Sequence, residues 1–301
     1  MNYNKFKQFW KKVFNYLANK EVFFNASAIT FNIFLCAIPF TLLLFSLIGY
    51  VLSYEAAFEE IIRYGRELFP EFSYESKSND VVKGAVTLES ILNPLINNRQ
   101  AFGLYGFGAL IVFSQALFHT LKDVVFFVFD IEDRKHPIIE LIHNFFTFGL
   151  VGGVFLFFSI VISIVSLISF EGFALPLTDI TIRLGWIFDF LNIVIPLGFT
   201  FLLLYIIFRY ISEKRLTRHL ALFGATLYTL LFEIAKFGLG MYLENAVAMY
   251  RYLYQGYTIA IVILVWAFYS AVIFVITTIV ARSYQETYRL QKRGVPYDDI
   301  S

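Results

Sequence analysis

Six uninterrupted apolar runs, each long enough to cross a bilayer, restrict this chain to one kind of fold. About 20 helical residues at 1.5 Å each span the roughly 30 Å hydrocarbon layer. The runs cover residues 26–52, 104–129, 142–169, 186–208, 219–243 and 257–281. Inside lipid every backbone polar group needs a partner from the chain itself, which leaves helices or a closed barrel. Barrel strands are about ten residues long and alternate in polarity, whereas these runs are continuous, so they are helices. Composition agrees: 58% of the 301 residues are hydrophobic and 16% charged, against about 45–50% and 25% in soluble domains. The expected fold class is an all-α integral membrane protein, a bundle of six transmembrane helices.

The cations between the runs set the orientation. Lys5, Lys7, Lys11, Lys12 and Lys20 precede the first run, Arg134 and Lys135 lie in the second loop, Arg209, Lys214, Arg215 and Arg218 around the fourth, and Arg282, Arg289, Lys292 and Arg293 follow the last. The short third and fifth loops carry only Arg183 and Arg251. By the positive-inside rule both termini face the cytoplasm, and the expected location is a bacterial inner membrane. The first run is too long for the core of a cleavable signal, so it is expected to stay as an anchor.

Residues 1–25 read as a cytoplasmic amphipathic helix, with Phe6, Phe9, Trp10, Val13, Phe14 and Leu17 at helical spacing and lysines projecting elsewhere. Such a helix either lies on anionic headgroups or packs on the ends of the bundle. Residues 26–281 form the six-helix domain, and 282–301 a cytoplasmic tail. The first loop, 53–103, holds eight carboxylates and two stretches of helical periodicity; it is expected as a small helical outer cap, with 73–80 as a flexible connector.

Several functions lack their residues. A net charge of +1 without a basic face argues against a nucleic-acid partner. Cys36 is the single cysteine, and His119, His136, His143 and His219 fall at no metal-binding spacing. No nucleotide-binding loop is present, so no cofactor and no metal are expected, and enzymatic activity is not expected either.

Ionisable groups in a span cost several kcal/mol unless paired or facing a wet interior. Gln115, His119, Lys122 and Asp123 draw a polar stripe along the second span, and Glu233 and Lys236 sit three apart near the middle of the fifth. Candidate binding or transport-path residues are therefore Glu233, Lys236, Gln115, His119, Asp123, Asn32 and Asn192, with Pro39 and Pro196 as helix kinks. Glu233 and Lys236 either neutralise one another while Lys236 snorkels outward, or face the interior and meet Gln115 or His119. Gly149 and Gly153, continued by Ser159, Ser163 and Ser166, offer a surface for close helix approach.

At Ala26-Ser-Ala-Ile-Thr-Phe-Asn-Ile-Phe-Leu-Cys-Ala-Ile-Pro39 the chain resembles the YihY/virulence factor BrkB family, whose first span reads A-S-A-L-T-Y-Y-x-L-L-S-L-F-P. Thr120-Leu-Lys-Asp123 is similar to its A-L-Q-D, and Phe232-Glu-Ile-Ala-Lys236 to its W-E-L-A-K, followed by Tyr242, Tyr254, Trp266 and Ser270 at matching positions. The chain departs at Phe126 and Phe127, where the family has N-R, at Gln255-Gly256, at Ser212 and at Val280, where a glutamate is frequent. The resemblance implies a six-helix bacterial inner-membrane protein. Members were once labelled ribonuclease BN, yet the clustered His and Asp ligands and basic channel of such a nuclease are missing. The expected function is a transporter or lipid-translocating protein for an amphipathic anionic substrate, with membrane lipids as partners. The alternative is a structural or assembly protein of the bacterial envelope. The oligomeric state is not written in the sequence.

Overall fold

The computed structural model describes residues 3–68, 88–131, 137–171, 173–174, 181–182, 185–212, 216–254 and 258–289. Helix α1 (Tyr3–Asn19) turns directly into α2 (Val22–Leu52). At the turn Glu21 adopts the left-handed region at φ 47°, and the Asn25 side-chain amide donates to the carbonyls of Lys20 at 2.8 Å and Glu21 at 3.2 Å. Two helices of the first loop follow, α3 (Glu55–Leu68) and α4 (Leu88–Asn97). Then come α5 (Arg99–Phe129), α6 (Pro137–Glu171), a two-residue antiparallel pair β1 (Phe173–Ala174) and β2 (Thr181–Ile182), and α7 (Gly185–Ile206), which passes into a π-helical turn at Ile207–Ile211. Helix α8 (Arg218–Tyr254) and α9 (Thr258–Tyr284) complete the series, α9 running into a second π-turn at Gln285–Arg289.

Six of these helices are long and apolar enough to cross a membrane: Val22–Leu52, Arg99–Phe129, Phe145–Val165, Phe190–Ile211, Arg218–Tyr242 and Ala260–Tyr288. They coincide with the six apolar runs, and the all-helical class holds. The boundaries shift where polar residues interrupt hydropathy without interrupting the helix. Helix α8 continues past the expected end at 243 to Tyr254, and residues 282–289, expected as tail, are helical. The expected cap, 53–103, narrows to α3 and α4 because residues 99–103 already belong to α5; the connector 73–80 lies outside the described residues.

The chain forms two compact units, Met1–Phe31 with Leu117–Ser301, and Asn32–Ala116. In the first, α8 packs on α7 and α9, α6 on α7, and α1 across α9. Its centre is apolar: Phe208 of the π-turn stacks on Phe274 of α9 at 5.2 Å, amid buried Ala221, Ala225, Val275 and Ile279. Buried hydroxyls there close on their own helix, as Thr229, Thr278 and Ser283 do by donating to the carbonyls of Ala225, Phe274 and Ile279 four residues back.

In the second unit α2 and α5 touch through missing side chains. Pro39 is buried without ending α2, and a Cβ on Gly106 of α5 would lie 3.0 Å from the Pro39 carbonyl oxygen and 3.1 Å from both Leu42 Cβ and Leu43 N. One to two turns away Ser46 Oγ donates to the Arg99 carbonyl at 2.7 Å, and Gly49 abuts the Leu95 carbonyl so closely that no Cβ fits. Close helix approach therefore occurs here and not at Gly149 and Gly153, beside which an added Cβ would meet nothing within 4 Å. The GxxxG spacing makes a flat surface, but nothing in the spacing obliges a helix of the same chain to fill it.

Candidate functional site

Glu233 and Lys236 share one turn of α8, and the Lys236 ammonium lies 2.5 Å from Glu233 Oε2. The pair does not point inward. The Lys236 side chain is 50% and that of Glu233 30% exposed, and Leu230, Ile234 and Phe237 around them are exposed as well. The expectation of an interior pair meeting Gln115 or His119 is thus corrected: among the described residues each charge is paired with the other. The reason lies in the helix itself, since α8 turns Tyr228, Thr229 and Ala235 to the core and leaves positions 230, 233, 234, 236 and 237 on the other side. On a water-facing helix such a pair contributes only a few tenths of a kcal/mol, so its position on an apolar span is not a stability device.

His119 and Asp123 also form a pair within one helix, His119 Nε2 lying 3.5 Å from Asp123 Oδ2 with both side chains more than half exposed. Gln115 differs. Its amide nitrogen and oxygen are both buried and have no hydrogen-bond partner among the described residues. Asn32 is half-buried, whereas Asn192 and Pro196 are exposed on α7, which runs through the proline. The structure therefore gathers four of the candidates as two intrahelical ion pairs on separate spans, His119 with Asp123 on α5 and Glu233 with Lys236 on α8.

Lys122 was readable as a member of the second-span stripe but not as its buried member. It is 1% exposed, one of the largest side chains so enclosed among the described residues, with its ammonium 5.3 Å from the centre of the Phe126 ring. Facing is the cause: Phe118, Leu121, Val125 and Phe129 form the buried side of α5, and Lys122 falls among them while His119 and Asp123 fall at its margin.

A second polar constellation, absent from the sequence reading, ties α1 to the end of α9. Glu286 is its hub: Arg282 Nε donates to Oε1 at 2.6 Å, Tyr16 OH donates to the same oxygen at 2.7 Å, and Lys12 Nζ reaches Oε2 at 3.0 Å. Burial, with the hydrogen bond to Glu286 and its negative charge, pushes the Tyr16 phenol up to about 12, so it remains the donor. Arg282 also donates to the Phe129 carbonyl at 2.5 Å and lies 3.6 Å from Asp130. Lys20 completes the set, 2.6 Å from Asp130 and 2.8 Å from the Phe127 carbonyl. Asp130 caps α5 in the left-handed region at φ 51°, and the Ile131 amide returns to the Phe126 carbonyl at 2.9 Å. Backbone strain of this kind costs about 1 kcal/mol or more in most residues other than glycine, and Asp is among the few that enter the region readily. The signal was present as Arg282 and Glu286 at i and i+4 and Lys12 and Tyr16 at the same spacing, but only the fold brings the two helices together.

Helix α1 thus uses two faces. Val13 and Tyr16 pack toward α9, while Tyr3, Phe6, Trp10 and Phe14 remain an exposed aromatic stripe. Helix α1 packs across α9, and its aromatic stripe stays exposed.

Apolar helices of spanning length, with charges on their exposed faces, define a multi-pass integral membrane protein. The chain belongs to the Virulence factor BrkB family, which it matches over residues 13–298. No curated protein and no solved structure matches the chain.

Proposed function

We propose that the protein moves or guides an amphipathic, anionic, lipid-like molecule across the bacterial inner membrane, with the exposed face of α8 as its path. The observation that carries this reading is the outward presentation of Glu233 and Lys236 among exposed Leu230, Ile234 and Phe237. A charge pair on a lipid-facing surface near the middle of a span is costly and calls for polar cover that comes and goes. A migrating headgroup supplies it: the phosphate exchanges with Glu233 for Lys236 while the acyl chains stay among the apolar side chains. No catalytic step, cofactor or nucleic acid enters this proposal. In reconstituted liposomes, fluorescent anionic lipid is expected to change leaflet about tenfold faster than in protein-free vesicles, and a zwitterionic analogue less so. Equal rates with and without protein overturn the reading.

The second reading, a structural or assembly protein of the envelope, is favoured by the closure of Glu233 and Lys236 upon one another at 2.5 Å. It predicts no acceleration at all.

The same proposal places both termini in the cytoplasm, on the loop cations named above. Cysteines introduced one at a time on a Cys36→Ser background are expected to be labelled from outside at residue 77 and protected at 214 and 292. External labelling at 214 or 292 reverses the topology.

A further inference from the structure

The elbow between α1 and α2 builds a groove that the transport reading does not use. Leu17, Val22, Phe23 and Phe24 of the elbow and Val272 and Ile276 of α9 wall a space of about 380 Å³, with Glu21 at its edge. That volume falls in the range of small-ligand pockets, roughly 300–1,000 Å³. Its depth follows from the elements that form it. Helix α1 carries lysines on one side and aromatics on another, which suits the headgroup layer, and the membrane-crossing run starts at Val22. The groove therefore opens where headgroups give way to acyl chains. Phe23, stacked on Phe268 of α9 at 6.5 Å, gives it a flat apolar wall, and the stripe of Phe6, Trp10 and Phe14 continues toward it along α1.

Charge decides the headgroup. Lys20, beside Glu21, is engaged by Asp130 and the Phe127 carbonyl. The Glu21 side chain is exposed and forms no ion pair among the described residues, while the Asn25 amide bonds fix the turn that carries it. An apolar slot whose mouth carries a carboxylate with no ion pair among the described residues repels an anionic headgroup and attracts one that ends in an ammonium. We infer that this groove binds the acyl chain of a phospholipid with an ethanolamine headgroup, whose ammonium pairs with Glu21. This lipid is a resident of the α1–α2 elbow, distinct from the anionic molecule proposed to pass α8, and either proposal stands if the other fails.

The test offers the delipidated full chain in detergent an equimolar mixture of phosphatidylethanolamine and phosphatidylglycerol with identical chains, and reads retained lipid by native mass spectrometry. The expected preference for phosphatidylethanolamine is about fivefold, the size of an exposed ion pair. Glu21→Gln, an exposed and nearly isosteric change, is expected to abolish the preference without lowering total lipid. Ile276→Trp, checked for a native melting profile, is expected to lose both lipids by filling the groove. Equal retention of the two lipids by the wild type, or a preference that survives Glu21→Gln, overturns the inference.

Discussion

Glu286→Ala is expected to destabilise the protein by about 3 kcal/mol, more than any other single removal in the α1–α9 network. The carboxylate is only 6% exposed and accepts from Arg282, Tyr16 and Lys12. Its removal takes from Arg282, itself 15% exposed, its 2.6 Å partner and leaves it Asp130 at 3.6 Å and the Phe129 carbonyl, and a buried charge that loses its close partner is the costly state. Arg282→Met is expected to be nearly as damaging, because it leaves Glu286 only Lys12 and Tyr16 and also empties the bonds to Phe129 and Asp130. The double variant should therefore cost less than the sum of the singles, by roughly 1–2 kcal/mol. Lys12→Met, whose side chain is 42% exposed, should cost under about 1 kcal/mol. Denaturant unfolding in detergent measures all four, and protease cleavage within residues 3–19 reports whether α1 has been released. Strictly additive effects, or a Glu286→Ala loss within about 0.5 kcal/mol of zero, contradict the hub assignment.

Gly106→Leu is expected to disrupt the Asn32–Ala116 unit outright. Even a methyl group at this position crowds the Pro39 carbonyl and the Leu43 amide nitrogen, and backbone atoms cannot rotate away as a side-chain end can. The two helices must move apart, a change that exceeds the roughly 1–3 kcal/mol of ordinary overpacking. Gly149→Leu is the matched control, with open space beside it and an expected change within about 0.5 kcal/mol. Fluorescence-detected melting compares them directly. Similar losses at both positions contradict the assignment of the close contact to α2 and α5.

These contrasts mark how far the sequence could be read. Run length and hydropathy report the solvent, so the six spans emerged within a few residues wherever the apolar run coincided with the helix. They do not report facing. Helices such as α5 and α6 are apolar almost all round, and hydropathy therefore could not say that Lys122 turns inward while His119 and Asp123 do not. For the same reason it could not say that Glu233 and Lys236 turn outward, or that Gly106 rather than Gly149 meets a neighbour. Hydropathy also ended α8 too early, since Glu244, Asn245 and Arg251 lower the apolar average without breaking a helix that reaches Tyr254. The Glu286 hub joins positions about 270 residues apart, Tyr16 to Glu286, and its i,i+4 halves look like ordinary solvated faces until the fold joins them.

The outward pair on α8 is the basis of the proposed function, and its cation tests it most directly. Lys236→Met removes the cation and leaves Glu233 without its partner on an apolar span, so it is read beside Glu233→Gln/Lys236→Met, which carries neither charge, each at a wild-type melting profile in detergent. In liposomes containing fluorescent anionic lipid, the account predicts that wild-type protein accelerates transbilayer movement and that Lys236→Met falls to within about twofold of protein-free vesicles, a difference of under 1 kcal/mol in barrier. A folded Lys236→Met variant that moves the lipid as fast as the wild type contradicts the account.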